Sequence, residues 1–431
     1  MKKRVNLRMA FLVVALTFCM LQGRGALRFM EREAQAVHGA DSTEVMPAVA
    51  VEPVRMPDAE VVTATEAAVA EVIDTVAPVP KKRNFFQRII DYFGKANKED
   101  YSKPFDFSII GGPYYSAETK FGIGLVGSGL YRTDRSDTLL PRSSVSLKAT
   151  ISTSLFYSFA IQGQHVFPHQ FANINYNFDF SVMPTYFWGV GYAKASDYKN
   201  NTKYKDLRFN AYVDAMFRLT DNLYGGPQIS GLYGRANSIE DPAYFSGLST
   251  QVTTFGAGLA LVYDSRDYIT APFKGWYVKA SGLFMPKFAG NVGSSYWKTD
   301  LTVSNYFKTW RDCILAWRFA STLSFGNVPW PMMPTFGTTS MRGYYMGQYR
   351  DKCSADVCVE FRQRIWRRVG CVVWVGAGTV FSDFSHLKDT RILPNAGVGF
   401  RWEFKKRVNV RLDVGFGKNT FGFEFNINEA F

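Results

Sequence analysis

Apolar and polar residues alternate with a period of two over most of this chain, and the C-terminal segments show it best. In the run from Arg407 to Gly417, Val408, Val410, Leu412, Val414 and Phe416 fall on one side; Arg407, Asn409, Arg411, Asp413 and Gly415 fall on the other. From Thr420 onward, Phe421, Phe423, Phe425, Ile427 and Phe431 share a side that only Glu429 interrupts. Period two is the period of a β-strand, whose successive side chains leave opposite faces. Sixteen such segments fit between Lys103 and Phe431, starting near Phe105, Lys120, Ser144, Leu155, Phe171, Lys205, Leu223, Thr253, Trp276, Tyr296, Cys313, Ala355, Cys371, Asn395, Arg407 and Thr420. The segment from Phe187 to Ala193 also has strand character, but antiparallel closure with both ends on one side favours an even number, so it is assigned to a loop. The apolar faces are aromatic, and the polar faces carry Arg, Asp and Glu on neighbouring strands. Lipid outside and a charged lumen inside suit that pattern, which predicts an all-β fold, a transmembrane antiparallel β-barrel over residues 103–431. A large soluble all-β protein is the competing reading.

The connections have a phase of their own. Outer-membrane barrels pair short periplasmic turns with long external loops. The long connections here, at Met183–Asn201, Gly234–Gln251, Pro286–Ser295, Gly326–Ser354 and Ser382–Pro394, all lead from an odd to an even strand. Those at Pro168, Thr220, Trp310, Arg367 and Lys405 are short and lead from even to odd. The connections around Asp134 and Asp267 break the rule by being long, and the hairpin at Lys418 by being short. Phe431 closes the last alternating segment. It reads as a signal for barrel assembly, as a lipid-facing terminal side chain, or as both.

Three segments precede the barrel. Residues 1–36 carry a basic stretch (Lys2, Lys3, Arg4, Arg8) and an apolar run from Met9 to Leu21, as in a signal peptide. Residues 37–80 are rich in Ala, Val, Pro and Glu, with eight acids against Arg55 as the one base, and read as a disordered linker. Residues 81–100 place Phe85, Phe86, Ile89, Ile90 and Phe93 at helical spacing after Lys81, Lys82 and Arg83, predicting a short amphipathic helix. It would pack against the barrel rim, lie on the membrane surface or plug the lumen.

Composition narrows the picture further. Of 431 residues 16% are aromatic, and no later stretch reaches the roughly 18 apolar residues of a transmembrane helix. Eight of the 50 basic and ten of the 37 acidic residues lie in the first 80, leaving 42 against 27 for the rest. That excess fits contact with outer-membrane lipid and lipopolysaccharide, with nucleic acid excluded as a partner of an exported barrel. Cys313, Cys353, Cys358 and Cys371 have no metal-ligand spacing; Cys353 and Cys358, near one loop mouth, are candidates for oxidation. The histidines, His38, His165, His169 and His386, form no catalytic constellation, so no enzyme, cofactor or metal is expected.

Four pieces, in order, resemble the C-terminal barrel of the BamA/TamA family of outer-membrane insertases and translocases, the bacterial surface antigen family. These are Tyr263, Asp264, Arg266, Asp267, Pro272 and Gly275 in one segment, then Arg342-Gly343-Tyr344, then VEFRQRI with VVWVGAGTVF, and last NAGVGFRWEF through FNINEAF. The resemblance covers about the last 180 residues. It implies sixteen strands and a long loop from Gly326 to Ser354 folded into the lumen, where an arginine can pair with a wall carboxylate. The family's usual partner is an aspartate on the thirteenth strand, and Gly376 stands there in this chain. Alternation on the twelfth strand turns Glu360 and Arg362 inward, so Glu360 is the first candidate partner of Arg342 and Asp413 the second. Residues 37–100 have neither the length nor the pattern of a periplasmic POTRA module, so a separate periplasmic protein is a candidate partner, beside client outer-membrane proteins. The resemblance implies a monomeric barrel in a Gram-negative outer membrane that serves protein or lipid assembly, insertion or translocation. A passive or gated pore for small anionic solutes and a surface structural or adhesive barrel are the alternatives.

Overall fold

The computed structural model describes residues 105–431 apart from 117, 135–139, 338–340, 406 and 428. The expected signal peptide, linker and amphipathic helix lie outside the described residues. Within these, the chain runs through β1 (Phe105–Ser116), β2 (Lys120–Tyr131), β3 (Ser143–Ser152), β4 (Tyr157–Val166), β5 (Ala172–Phe187), β6 (Thr202–Arg218), β7 (Leu223–Asn237) and β8 (Gln251–Asp264). It continues through β9 (Gly275–Met285), β10 (Tyr296–Lys308), β11 (Cys313–Gly326), β12 (Cys353–Trp366), β13 (Val369–Phe381), β14 (Leu393–Lys405), β15 (Val408–Gly417) and β16 (Thr420–Ile427). The widest departure from the sequence reading is at β6, which begins at Thr202 rather than Lys205. Beyond Phe187, the segment assigned to a loop holds only a one-turn helix, α1 (Tyr192–Ala195).

Each strand pairs antiparallel with its sequence neighbours, in a barrel that returns from β16 to β1. The pairing is uneven around the ring. β5 and β6 register continuously from Ala172↔Phe217 to Phe187↔Thr202. β1 and β16 register, among the described residues, at the single pair Ser116↔Glu424. Strand length follows the same gradient, from 17 residues in β6 to 8 in β16.

The faces are inverted relative to a soluble protein. Phe107, Phe121, Leu259 and Phe416 are more than half exposed, while Asp413, Glu360 and Arg411 are buried. Apolar side chains therefore form the outer surface, and charges fill the inside, as a lipid-facing barrel requires. The odd-to-even loops gather at one end over an aromatic cluster in which Phe187 stacks on Phe245 (ring centroids 4.5 Å apart) and meets Trp330 at 5.2 Å. Burial of these rings joins the β5–β6, β7–β8 and β11–β12 loops into a cap.

Alternation fails at the extreme C-terminus. Among the described residues no ladder continues β16 past Ile427, so residues 429–431 are not held to period two. Glu429 turns inward to Arg401, and the Phe431 ring lies 5.1 Å from the Arg362 guanidinium and 6.3 Å from the Tyr306 ring. Phe431 is thus an inward residue, not the lipid-facing side chain that extended alternation suggested. The cysteine expectation also changes. Cys353 and Cys358 are free and lie five residues apart along β12. At about 3.3 Å per residue that separation is far beyond disulfide reach.

Candidate functional site

Of the 26 residues between β11 and β12, the described ones return into the barrel. Met341, Arg342, Tyr344, Gln348, Tyr349, Arg350 and Asp351 are all buried. A buried guanidinium needs partners for its fork of donors. Arg342 Nη1 donates to Asp413 Oδ2 of β15 at 2.8 Å, and Nη2 makes a close ion pair with Glu360 of β12. The guanidinium carbon lies 3.7 Å from the centroid of the Trp374 ring of β13. The Arg342 carbonyl accepts from Asn395 Nδ2 of β14. Four consecutive strands therefore grip one residue.

The two carboxylates are themselves shared. Glu360 Oε2 accepts from Arg362 Nε at 2.8 Å. Asp413 also accepts from Arg401 at 2.5 Å and from Arg411 at 3.3 Å. Arg411 reaches Glu424 of β16 at 3.5 Å, and Arg401 Nε meets Glu429 at 2.8 Å. Four arginines (342, 362, 401, 411) thus face four acids (360, 413, 424, 429), a neutral network that a low-dielectric interior tolerates.

Backbone geometry fixes the neighbouring positions. Gly343 has φ +103°, and a Cβ there would come within 2.5 Å of the Gly415 carbonyl carbon. A Cβ on Gly415 would in turn meet the Arg342 carbonyl at 2.6 Å. The pair is glycine because loop backbone lies on wall backbone. Tyr344 Oη donates to the Pro394 carbonyl at 2.7 Å and accepts from the Lys418 amide at 2.8 Å. Both expected acids, Glu360 and Asp413, meet Arg342. At Gly376 a Cβ would lie 2.7 Å from the Val357 carbonyl oxygen, so this wall position is tight for any side chain. Sequence reasoning missed Trp374, Asn395, Gly415 and Arg401. Trp374 was legible, since it shares the Gly376 face of β13, whereas the Gly343–Gly415 contact has no sequence signal.

The second motif lies at the opposite end, in the long β8–β9 turn. Asp264 accepts two bonds from Arg266, at 2.9 and 2.7 Å, and Arg266 stacks 4.3 Å from the Tyr277 ring centroid. Tyr263 points outward. Asp267 Oδ1 accepts from the amides of Phe273 and Lys274, at 2.8 and 3.2 Å. Gly275, at φ +111°, lets the turn close on the Ser265 carbonyl. Arg407 of the β14–β15 turn donates to Asp267 at 3.3 Å and to the Ala271 carbonyl at 3.0 Å. Those two turns are six strands apart in the ring, so the motif braces the barrel mouth from one wall to another. That is why this turn is longer than its phase allows. Pro272 follows Ala271 in this brace.

A Ser-His-Asp grouping occurs in the β13–β14 loop, but it is a cap. His386 Nδ1 faces Asp383 at 2.8 Å and Ser385 Oγ at 3.1 Å, so one ring nitrogen serves both neighbours. A catalytic triad needs opposite nitrogens for the acid and the nucleophile.

Residues 143–431 match the Omp85 superfamily domain. Among solved structures, the fold is similar to BamA from Haemophilus ducreyi lacking POTRA domains 1-3 (TM-score 0.50, 14% identity, 75% of this chain and 70% of that one). It is also similar to CdiB from Escherichia coli (0.52, 12%, 76% and 63%) and to CdiB from Acinetobacter baumannii (0.50, 12%, 76% and 60%). The chain thus spans less than two thirds of either CdiB. No curated protein matches the chain.

Proposed function

The chain belongs to the Omp85 superfamily, and from that membership we propose that it assists the insertion of β-barrel proteins into the outer membrane by opening at its own seam. The observation that carries this reading is the β1–β16 junction, with one registered pair among the described residues where the β5–β6 wall registers along its whole length. Backbone hydrogen bonding is the main cohesion between strands in lipid, since unsatisfied groups there cost several kcal/mol each. A junction with few bonds has the least to lose on parting. Gly111, Gly112 and Pro113 in β1 add to this, for proline removes a donor and glycine weakens a strand.

Wall height points the same way. A spanning strand takes about 9–11 residues at a tilt near 45°. The 8 residues of β16 fall short of that, so the bilayer beside the seam thins or the wall is wetted. Both lower the barrier to entry of a new strand. The proposed mechanism uses no covalent step and no cofactor. Client proteins are the proposed partners, with a separate periplasmic protein delivering them.

A pore reading is weaker. The returned β11–β12 loop and the aromatic cap bury side chains across the loop end, which stands against an open channel there. The test is folding of a urea-unfolded β-barrel client into liposomes with and without this protein. Acceleration is expected; an unchanged rate across several clients and lipid compositions counts against insertion.

A further inference from the structure

At the turn end of the barrel, adjoining the Arg342 network through Arg362 and Arg401, a solvent-open cavity of about 100 Å³ lies between the β8–β9 brace and the ends of β10 to β15. Six basic residues line it: Lys308, Arg362, Arg364, Arg368, Arg401 and Arg407. The acids there are three, Asp312, Glu403 and Glu429. Two of these are already engaged, Glu429 by Arg401 and Asn409, and Glu403 by Arg364 and the Arg407 amide. Arg362, Arg401 and Arg407 also meet acids outside the lining, Glu360, Asp413 and Asp267, so the lining cations that make no ion pair among the described residues are Lys308 and Arg368.

Two of its arginines are deeply buried yet incompletely bonded. Arg362 is 6% and Arg401 4% exposed. Arg362 spends Nε on Glu360 and Nη2 on the Phe431 main-chain oxygen, and its Nη1 has no partner. Arg401 spends Nε on Glu429 and Nη1 on Asp413, and its Nη2 has no partner. A buried guanidinium N–H without an acceptor is costly, and native interiors rarely leave one so. Two of them lining one cavity, with Lys308 and Arg368 exposed at its rim, form a donor set for an oxyanion.

We propose that this cavity binds a phosphate group, whose several oxygens accept from both buried guanidinium groups at once while the rim cations neutralise its charge. Arginine forks suit phosphate geometry, which a lone carboxylate or chloride satisfies less fully. The phosphate arrives free in solution or as the headgroup of an anionic phospholipid. Exposed Trp310, Ile365 and Trp366 beside the rim offer an interfacial apolar belt that favours the lipid source.

The experiment uses the full chain in phosphatidylcholine nanodiscs at fixed ionic strength. One arm titrates inorganic phosphate by calorimetry, with chloride as the control. The other replaces a tenth of the lipid with phosphatidylglycerol and reads retained lipid by native mass spectrometry. Arg362→Gln is the obvious variant, but it also breaks the Glu360 pair. The deciding variant is therefore Lys308→Gln with Arg368→Gln, both at exposed rim positions. Binding in the first arm assigns a free oxyanion, and binding only in the second assigns a headgroup. In either case the double variant weakens it about tenfold or more. No binding in both arms, binding that the double variant leaves unchanged, or equal binding of chloride overturns the proposal.

Discussion

Replacing Arg342 by alanine tests the returned loop most sharply. The side chain is 2% exposed, and its partners Glu360 and Asp413 are 0% and 1% exposed. Removing one member of a buried ion pair costs about 3–5 kcal/mol when it leaves a bare charge behind. Here neither acid is left bare. Glu360 keeps Arg362, and Asp413 keeps Arg401 and Arg411. That lowers the electrostatic loss, while contact with the Trp374 face adds about 0.5–2 kcal/mol in a desolvated site. We expect a net loss of about 3 kcal/mol. The assay is urea unfolding of the detergent-folded barrel, read by its gel mobility without heating. A double-mutant cycle with Glu360→Gln should return a coupling of about 1–3 kcal/mol, and one with Asp413→Asn a similar value. Arg342→Lys should recover only part of the loss, because an ammonium cannot span two carboxylates and stack on a ring. A loss below about 0.5 kcal/mol with zero coupling in both cycles would refute the reasoning, since surface-like values are of that size.

Gly343→Ala and Gly415→Ala should each destabilise the barrel by about 2 kcal/mol or more, since each Cβ meets backbone that cannot step aside; urea midpoints check this. Planar bilayers containing the protein should show a low baseline conductance, and deletion of residues 341–351 should raise it severalfold; a large steady conductance before deletion contradicts the reading that the returned loop and aromatic cap close the loop end. In the β13–β14 loop, the hydrogen bond and charge of Asp383 raise the pKa of His386, and the bonds from Ser385 and His386 lower that of Asp383. The pair thus supports the loop between the two titrations. Its contribution is lost as pH rises through the raised histidine value and as pH falls through the lowered carboxyl value. NMR titration should find His386 above about 6.5 and Asp383→Asn should lower it; no change on substitution rejects the pairing.

Much of the fold was legible in the sequence because the barrel imposes one rule on every strand. Aromatic-out, charged-in alternation marks β15 by itself, through Phe416 outside and Asp413 inside. Burial in lipid cannot be traded away locally, so the pattern stays regular and strand starts fall within a few residues. The rule lapses where pairing lapses. Among the described residues no ladder continues past Ile427, and Glu429 and Phe431 turn inward against the extended period. The site was legible in part. Inward parity brought Glu360 and Asp413 forward as partners of Arg342, because side-chain parity on a strand is fixed. The Gly343–Gly415 approach and the Asp267–Arg407 brace join residues 72 and 140 positions apart, respectively, and periodicity carries no information about such pairs.

The seam is the centre of the functional account, and locking it is the direct test. Cysteines at positions 116 and 424, the registered pair, would join β1 to β16 when oxidised. A control pair at positions 180 and 209, registered between β5 and β6, would lock a wall that has no reason to open. Folding of a client barrel into liposomes is then measured for each variant, oxidised and reduced. The account predicts that oxidation of the 116–424 pair abolishes the acceleration, that reduction restores it, and that the control pair has no effect. Full acceleration with the 116–424 disulfide formed would contradict it.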